Sequence, residues 1–175
     1  GGHGDRRPHY ELLLRLRDER GSLVEPNAFI PAAERYNLMP SIDRWVLSQT
    51  LETLLYRGDE AAEPYTLALN LSGTTLNDAR FLDFVLDEIV AAAVPPGPLC
   101  FEITETAAIA NLGRVVSFMR ALKAHGCRFS LDDFGTGLSS LTYLKHLPVD
   151  YVKIDGQFVR NVGRDHADEA VVQAI

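Results

Sequence analysis

The order of the predicted elements constrains the fold of this chain more than any other feature. Short apolar runs alternate with segments whose apolar residues recur at helical spacing, and short polar loops join them. This alternation is typical of a parallel sheet covered by helices, either as an open doubly wound sheet or as a (β/α) barrel. Five strands are predicted, over Tyr10–Leu16, Tyr65–Asn70, Leu99–Ile103, Arg128–Asp132 and Tyr151–Ile154.

The segments between these strands predict helices. The longest carries Trp45, which we interpret as an anchor that packs a helix on the sheet. A last helical pattern begins at Asp168 and reaches the end of the sequence with no glycine or proline stop signal, which indicates a truncated helix. The other predicted helices are Asn27–Arg35, Ser41–Tyr56 (which holds Trp45), Asp78–Ala92, Leu112–Ala124 and Ser139–His146.

Length, charge and cysteine content narrow the class of protein. The 175 residues have the length of one domain, and no apolar run is long enough for a membrane span or a signal peptide. With 17 basic and 24 acidic side chains, the net charge of −7 argues against binding to a DNA or RNA polymer. The two cysteines fit small core residues in a reducing compartment. We therefore expect a cytoplasmic domain.

Polar side chains recur where the predicted strands end. Glu11 and Arg15 lie on the first predicted strand at i and i+4, so the period of two puts both on one face. The ends of parallel strands meet at one edge of a sheet, and in a barrel they converge on one mouth. The other four strands place Asn70, Glu102, Asp132 and Lys153 at or near this edge, at intervals of roughly one strand–helix unit.

These residue types together favour a metal site. Several carboxylates that converge on one cavity repel one another unless a cation is present, and all-oxygen ligands suit Mg²⁺, Mn²⁺ or Ca²⁺. Taken singly, each residue has a simpler interpretation: a carboxylate at a strand end often caps a helix, and a lone Arg15 or Lys153 is often a surface charge. The recurrence at every strand end, and the paired Asp132-Asp133 before Phe134-Gly135-Thr136-Gly137, favour the functional interpretation.

The sequence resembles EAL domains, the bacterial cyclic di-GMP phosphodiesterases. The stretch Glu11-Leu12-Leu13-Leu14-Arg15 matches the family signature, and six further motifs follow in the family's order from Tyr10 onward. They are Phe29-Ile30-Pro31-Ala32-Ala33-Glu34, Leu69-Asn70-Leu71-Ser72, Glu102-Ile103-Thr104-Glu105-Thr106, Asp132 to Ser140, Leu147-Pro148-Val149-Asp150 and Lys153-Ile154-Asp155.

The resemblance implies a fold and a set of roles. The fold is a (β/α)₈ TIM-type barrel, of which this chain holds about five parallel strands with outer helices. Lys153 would orient the attacking water, and Glu105 would steady the loop from Asp133 to Ser140. Arg15 would contact a phosphate, while Leu13 and the Phe29–Pro31 segment, with Ile30 and Pro31, would lie near a guanine. The implied metal ligands are Glu11, Asn70, Glu102 and Asp132, with Asp133 serving a second metal.

The implied reaction is hydrolysis of one phosphodiester of cyclic di-GMP to the linear dinucleotide pGpG. A pair of Mg²⁺ or Mn²⁺ ions would activate water and stabilise the leaving oxygen, and Ca²⁺ would inhibit. An acidic protein needs such cations, together with an Arg and a Lys, to hold an anionic ligand. The family further implies sensory or GGDEF cyclase domains in the parent protein, a homodimer, and a parent that is in some cases tethered to a membrane.

Three departures from the family pattern affect these expectations. Leu12 stands in place of the signature alanine, and Leu138 in place of an aromatic residue. The family's opening strand with its Gln-Pro-Ile stretch, and its closing strands with a further ligand, are not found in the sequence. We therefore interpret residues 1–9 as a terminal loop or tag remnant and 10–175 as a partial EAL domain. By itself this fragment is expected to be inactive or very weak, whereas the parent domain keeps enough signature residues to be active.

Two alternatives to the hydrolase remain open. EAL domains that lack metal ligands act as receptors for cyclic di-GMP, and such a domain would bind the nucleotide without turnover. A metal-dependent barrel enzyme with another phosphate substrate would be indicated only if cyclic di-GMP failed to bind.

Overall fold

A five-stranded parallel sheet forms the centre of the molecule. The computed structural model describes residues 8–57, 65–93, 97–135, 141–160 and 162–164, together with 169 and 172–173. The strands β1 (His9–Leu12), β4 (Thr66–Asn70), β5 (Leu99–Thr104), β6 (Arg128–Phe134) and β7 (Tyr151–Ile154) lie side by side in chain order. Every adjacent pair is parallel, which gives the wall of a half barrel.

Helices cover this sheet on its outer face. They are α1 (Pro26–Arg35), α2 (Met39–Arg57), α3 (Gly73–Leu76), α4 (Phe81–Ala92), α5 (Glu105–Ala110), α6 (Leu112–Ala124) and α7 (Gly156–Arg160), with a 3₁₀ helix over Leu141–His146. A small antiparallel hairpin, β2 (Leu16–Arg17) and β3 (Leu23–Val24), precedes α1. In the part of the chain that the structure describes, no helix combines the length and apolar character needed to cross a bilayer.

The core lies between the sheet and the helices. Phe101 of β5 and Phe129 of β6 are fully buried and stack with their ring centroids 5.5 Å apart, while Phe118 of α6 meets Phe129 edge-on. Burial of one such side chain contributes about 1.5–3 kcal/mol to folding. Cys100 and Cys127 are buried in this region as free thiols, as their sequence context predicts. This core fixes the strands, and the strands in turn position the polar residues at their ends.

The predicted first strand is wrong in its extent. It ends at Leu12, and the chain then turns into the β2–β3 hairpin. The inference that Glu11 and Arg15 share a face of one strand is therefore also wrong. The other four strands agree with the predictions to within two residues at each end.

Other details also differ from the sequence analysis. Trp45 does not anchor α2 on the sheet, because it is 57% exposed. The helices α3, α5 and α7 were not predicted, and the segment before β7 is a 3₁₀ rather than an α-helix. The predicted start of that helix at 139–140, the departure at Leu138 and most of the final helix from 168 onward lie outside the described residues.

Candidate active site

The register of the sheet brings the predicted polar residues to one edge. Asn70 is the last residue of β4 and is paired with Glu102 of β5, while Thr104 of β5 is paired with Asp132 of β6. Alternation along parallel strands turns these side chains toward the concave face of the half barrel. We call Glu11, Asn70, Glu102, Asp132 and Lys153 the carboxyl-edge cluster.

Lys153 lies at the centre of the carboxyl-edge cluster. Its Nζ donates to Oε2 of Glu102 at 2.6 Å and to Oε2 of Glu11 at 3.0 Å, and it lies 4.0 Å from Oδ2 of Asp132. The amide of Asn70 donates to the other oxygen of Glu11, Oε1, at 3.0 Å. Four strands thus contribute to one hydrogen-bonded group, and Asp132 of a fifth lies at its margin.

Charge in the cluster is uneven. Three carboxylates surround one ammonium, and Oε1 of the buried Glu102 finds no hydrogen-bond partner among the described residues. Nε2 of His9 lies 3.7 Å from this oxygen. An unpaired buried carboxylate oxygen costs free energy, so this oxygen is suited to accept a further cation or donor.

The pKa values of the cluster reflect these contacts. Burial raises the pKa of Glu102 above its ordinary value, although the hydrogen bond from Lys153 acts in the opposite direction. Burial also acts to raise the pKa of Glu11, but the hydrogen bonds from Asn70 and Lys153 outweigh it and lower that pKa. Burial alone would lower the pKa of Lys153, whereas the bonds to Glu102 and Glu11 raise it. Lys153 is therefore an ammonium that donates hydrogen bonds.

Glu105 links the end of β6 to the 3₁₀ helix. This carboxylate is buried at the start of α5, where Oε2 accepts from the backbone N–H of Gly135 at 2.8 Å and Oε1 accepts from the hydroxyl of Tyr143. Gly135 has a φ of +99°, and a Cβ on it would lie 2.8 Å from the ring of Phe158, so only glycine fits there. Glu105 and Phe158 thus confine the turn that follows Asp133 from two sides.

Asp133 precedes this turn in a conformation that is uncommon for a side-chain-bearing residue. Its φ is +53°, and its backbone N–H donates to Oδ1 of Asp132 at 2.9 Å. Burial raises the pKa of Asp133, and the neighbouring charges of Asp132 and Asp155 add to the effect. Two adjacent carboxylates are therefore presented at the end of β6 in different directions.

A family model identifies the fold that carries this cluster. The model of the EAL domain matches residues 3–175, nearly the whole chain. The chain belongs to the EAL domain family.

Curated relatives of this EAL domain share its sequence over nearly its full length. It is 39% identical over 174 residues to the cyclic di-GMP phosphodiesterase PdeB of Shewanella oneidensis and 35% identical over 168 residues to PdeF of Escherichia coli. These matches cover 99% and 95% of the chain but 20% and 22% of the relatives. The chain thus spans about a fifth of the length of these two relatives.

Solved EAL structures superimpose closely on this EAL domain. A phosphodiesterase structure of PaMucR in complex with c-di-GMP matches with a TM-score of 0.86 at 34% identity, covering 94% of this chain and 67% of that one. The FimX EAL domain of Pseudomonas aeruginosa bound to c-di-GMP matches with a TM-score of 0.87 at 31% identity, covering 98% and 68%. The half barrel is therefore an incomplete TIM-type barrel of the EAL kind.

The donor set of this EAL domain fits a hard divalent cation. Its candidate ligands are oxygen atoms only, and Glu102 contributes the unpaired buried oxygen. Among the described residues, however, no three His, Cys, Asp or Glu side chains lie close enough together to hold an ion. In this structure Lys153 bonds to both Glu11 and Glu102.

The predicted ligand-contacting residues line neighbouring cavities. Leu13 and Ile30 line a cavity of about 290 Å³ that also contains Asn70 and Asp43, so they adjoin the carboxyl-edge cluster. Arg15 shares a cavity of about 230 Å³ with Leu13 and also lines an apolar groove of about 580 Å³ beside Trp45. Its Nε contacts Oε2 of Glu25 at 3.1 Å. Pro31 lies within α1 at an exposed position.

Sequence reasoning missed two polar residues beside this site. Tyr143 is identified only by its bond to Glu105, and Asp43 is a buried carboxylate on α2. Asp43 follows Ile42 and precedes a helical stripe, so its sequence context is that of an ordinary solvated helix residue. No signal in one sequence distinguishes it from such a residue.

Proposed function

We propose that the protein containing this chain hydrolyses one phosphodiester bond of cyclic di-GMP and releases linear pGpG. The observation that carries this proposal is the carboxyl-edge cluster, in which Lys153 and the unpaired oxygen of Glu102 meet at the mouth of a half barrel. The names of the relatives, two of which are cyclic di-GMP phosphodiesterases, support the substrate. The position of the cluster is the edge at which barrel enzymes carry their catalytic residues.

The chain supplies distinct parts of the proposed reaction. Lys153 holds and orients the attacking water by donating a hydrogen bond, and Glu105 positions the turn after Asp133. Mg²⁺ or Mn²⁺ ions, when bound, supply Lewis acidity and make bound water a stronger acid. Ca²⁺ would occupy the same oxygens with looser geometry and inhibit. The ligands proposed are Glu11, Asn70, Glu102 and Asp132, with Asp133 for a second ion.

Ligand contacts are proposed on the side of the cluster that faces α1. Leu13 and Ile30, from the cavity next to Asn70, would pack on a base of the nucleotide, and Pro31 would contribute from the same helix. Arg15 would contact a phosphate, for which its guanidinium must leave Glu25. This exposed ion pair is weak, so the exchange costs about 1 kcal/mol or less.

The family and the two free thiols support proposals about the cellular compartment, the neighbouring domains and the oligomeric state. The two free buried cysteines fit the cytoplasm, where we propose the domain works. We also propose sensory or GGDEF cyclase domains in the same protein and a homodimer. The name of the relative MucR, a bifunctional diguanylate cyclase and cyclic di-GMP phosphodiesterase, supports the neighbouring cyclase domain.

A receptor without catalysis is the second candidate. The observation that favours it is that Lys153 already donates hydrogen bonds to Glu11 and Glu102, two of the proposed metal ligands. A receptor of this kind would bind cyclic di-GMP equally well with and without divalent metal.

The deciding experiment follows cyclic di-GMP turnover by chromatography in the whole protein, with Mn²⁺ and with chelator. Glu11→Ala should lose at least about a hundredfold in rate, since loss of even an outer partner of a ligand costs 10- to 100-fold. Glu52→Ala, an exposed glutamate on α2 bonded to Gln49, is the matched control and should keep its rate. Metal-independent binding without product would establish the receptor instead, and absence of binding would point to another phosphate substrate.

A further inference from the structure

Asp43 is a buried carboxylate on α2, a helix whose buried side chains are mostly apolar. It is 3% exposed, and the buried neighbours along α2 are Leu47, Leu51 and Leu54. Its Oδ2 accepts from the backbone N–H of Ser72 at 3.0 Å and from the hydroxyl of the same residue at 2.9 Å. The Thr75 hydroxyl also bonds to this carboxylate.

These bonds lead to the residue at the end of β4. Ser72 lies two positions after Asn70, at the turn where the chain leaves the sheet and enters α3. Between the two, the N–H of Leu71 donates to the carbonyl oxygen of Glu102 at 2.9 Å. The backbone just after Asn70 is therefore held from the sheet side by Glu102 and from the helix side by Asp43.

Simple packing does not account for a carboxylate here. Burial raises the pKa of Asp43, which shows that its charge is held at a cost in free energy. Thr50, two turns further along α2 and equally buried, satisfies its hydroxyl within the helix by donating to the carbonyl of Val46 at 2.7 Å. Asp43 differs in that its bonds cross to another element, directly beside the carboxyl-edge cluster.

We propose that Asp43 is a positioning residue, which sets the direction of the Asn70 side chain by holding Ser72. The proposal rests on the proposed function, in which Asn70 is a metal ligand. It assigns to α2 a part in the site beyond its packing on the sheet.

The test measures Mn²⁺ binding by electron paramagnetic resonance and the side-chain amide resonance of Asn70 by NMR, both in the whole protein. Asp43→Ala should weaken Mn²⁺ binding about tenfold, the lower end of the cost expected for loss of an outer partner. Asp43→Asn should come within about threefold of wild type, because its amide oxygen can accept from Ser72 and its nitrogen can donate to Thr75. Thr50→Val is the matched control and should leave both readouts unchanged.

A double variant separates positioning from general loosening. In an Asn70→Ala background the same Asp43→Ala change should no longer weaken Mn²⁺ binding, because the residue that it positions is gone. Equal weakening in both backgrounds, or a destabilised Asp43→Ala protein with unchanged Mn²⁺ binding and an unchanged Asn70 resonance, would overturn the proposal. If wild type bound no Mn²⁺ at all, the proposed hydrolysis would fail. The Asn70 resonance of metal-free Asp43→Ala would then still decide whether Asp43 positions this side chain.

Discussion

Each end of the sheet carries a lysine that contacts carboxylate oxygens, but the two ends differ in how these charges are balanced. At the amino end, Nζ of Lys123 contacts Oδ1 of Asp150 at 2.5 Å, and the other oxygen of Asp150 accepts from the N–H of Phe129 at 2.9 Å. One cation meets one anion there, and both carboxylate oxygens are used. At the carboxyl end, Lys153 lies beside three carboxylates, and one buried oxygen of Glu102 stays unpaired within the described part of the chain.

This difference separates a structural contact from a candidate site. The two lysines are similarly exposed, at 30% and 34% of the side chain, so burial alone does not distinguish them. What differs is the excess of negative charge and the unsatisfied acceptor at the carboxyl end. In barrels, that end carries function and the amino end carries stability.

The comparison predicts its largest difference in turnover between two single variants, one for each lysine. Lys153→Ala should lower cyclic di-GMP turnover at least about a hundredfold, because its ammonium is a preorganised donor in the site. Lys123→Ala should keep turnover within about twofold and lose about 1 kcal/mol or less of unfolding free energy, as expected of a half-exposed ion pair. Steady-state kinetics and urea unfolding of both variants provide the measurements.

Equal losses of turnover in the two variants would break the comparison. Both variants must be folded for this comparison, so their circular dichroism spectra serve as the control. If Lys123→Ala alone abolished turnover, the amino end would have to be assigned a part in catalysis.

A tenfold effect is expected at the link between β6 and the 3₁₀ helix. Tyr143→Phe removes the hydroxyl that donates to Oε1 of the buried Glu105, while the N–H of Gly135 still donates to Oε2. Turnover should fall about tenfold through the misplaced turn after Asp133, with a stability loss of about 1 kcal/mol. Tyr151→Phe, which loses a bond from Arg128 toward the amino end, is the control and should keep its turnover. Similar rates for Tyr143→Phe and wild type would show that Glu105 needs no second partner.

The sequence alone predicted most residues of the carboxyl-edge cluster, but it did not reveal Asp43 and Tyr143 beside them. Four of its residues lie at or near the ends of strands that are short, apolar and regularly spaced, so parallel pairing brings them together. They are Asn70, Glu102, Asp132 and Lys153. The inference that Arg15 shares a strand face with Glu11 was wrong because β1 ends at Leu12. The local sequence Leu13-Leu14-Arg15-Leu16 still favours an extended run.

The helix α5 was missed although a signal for it exists. Thr104 caps the helix by accepting from the N–H of Ala107 at 3.3 Å, and alanines follow within the next turns. A capping threonine before good helix formers predicts a helix start. Asp43 and Tyr143 had no such signal, since their roles depend on contacts with residues about 30 to 40 positions away in the chain.

The smallest effect is expected in the pH dependence of stability. It concerns Asp43, a buried carboxylate that is bonded to the N–H and hydroxyl of Ser72 rather than to a lysine. The folded-state pKa of Asp43 is raised above its ordinary value of 3.8, so the folded chain binds this proton more tightly than the unfolded chain does. Its contribution to stability is greatest below the unfolded pKa and falls as pH rises through the folded pKa. Relative to Asp43→Asn, wild type should therefore lose unfolding free energy between about pH 4 and pH 7. Urea titrations of both proteins across this range test the sign, and a constant difference would contradict it.

The exposure of Trp45 gives this chain an optical probe beside a proposed ligand contact. It is the only tryptophan in the sequence, and it lines the apolar groove beside Arg15. Asp43, two residues earlier on α2, lies on the opposite side of the helix and lines the cavity that contains Asn70. Intrinsic fluorescence therefore reports the polarity of the groove, and its emission wavelength follows what covers that surface, including a ligand held by Arg15.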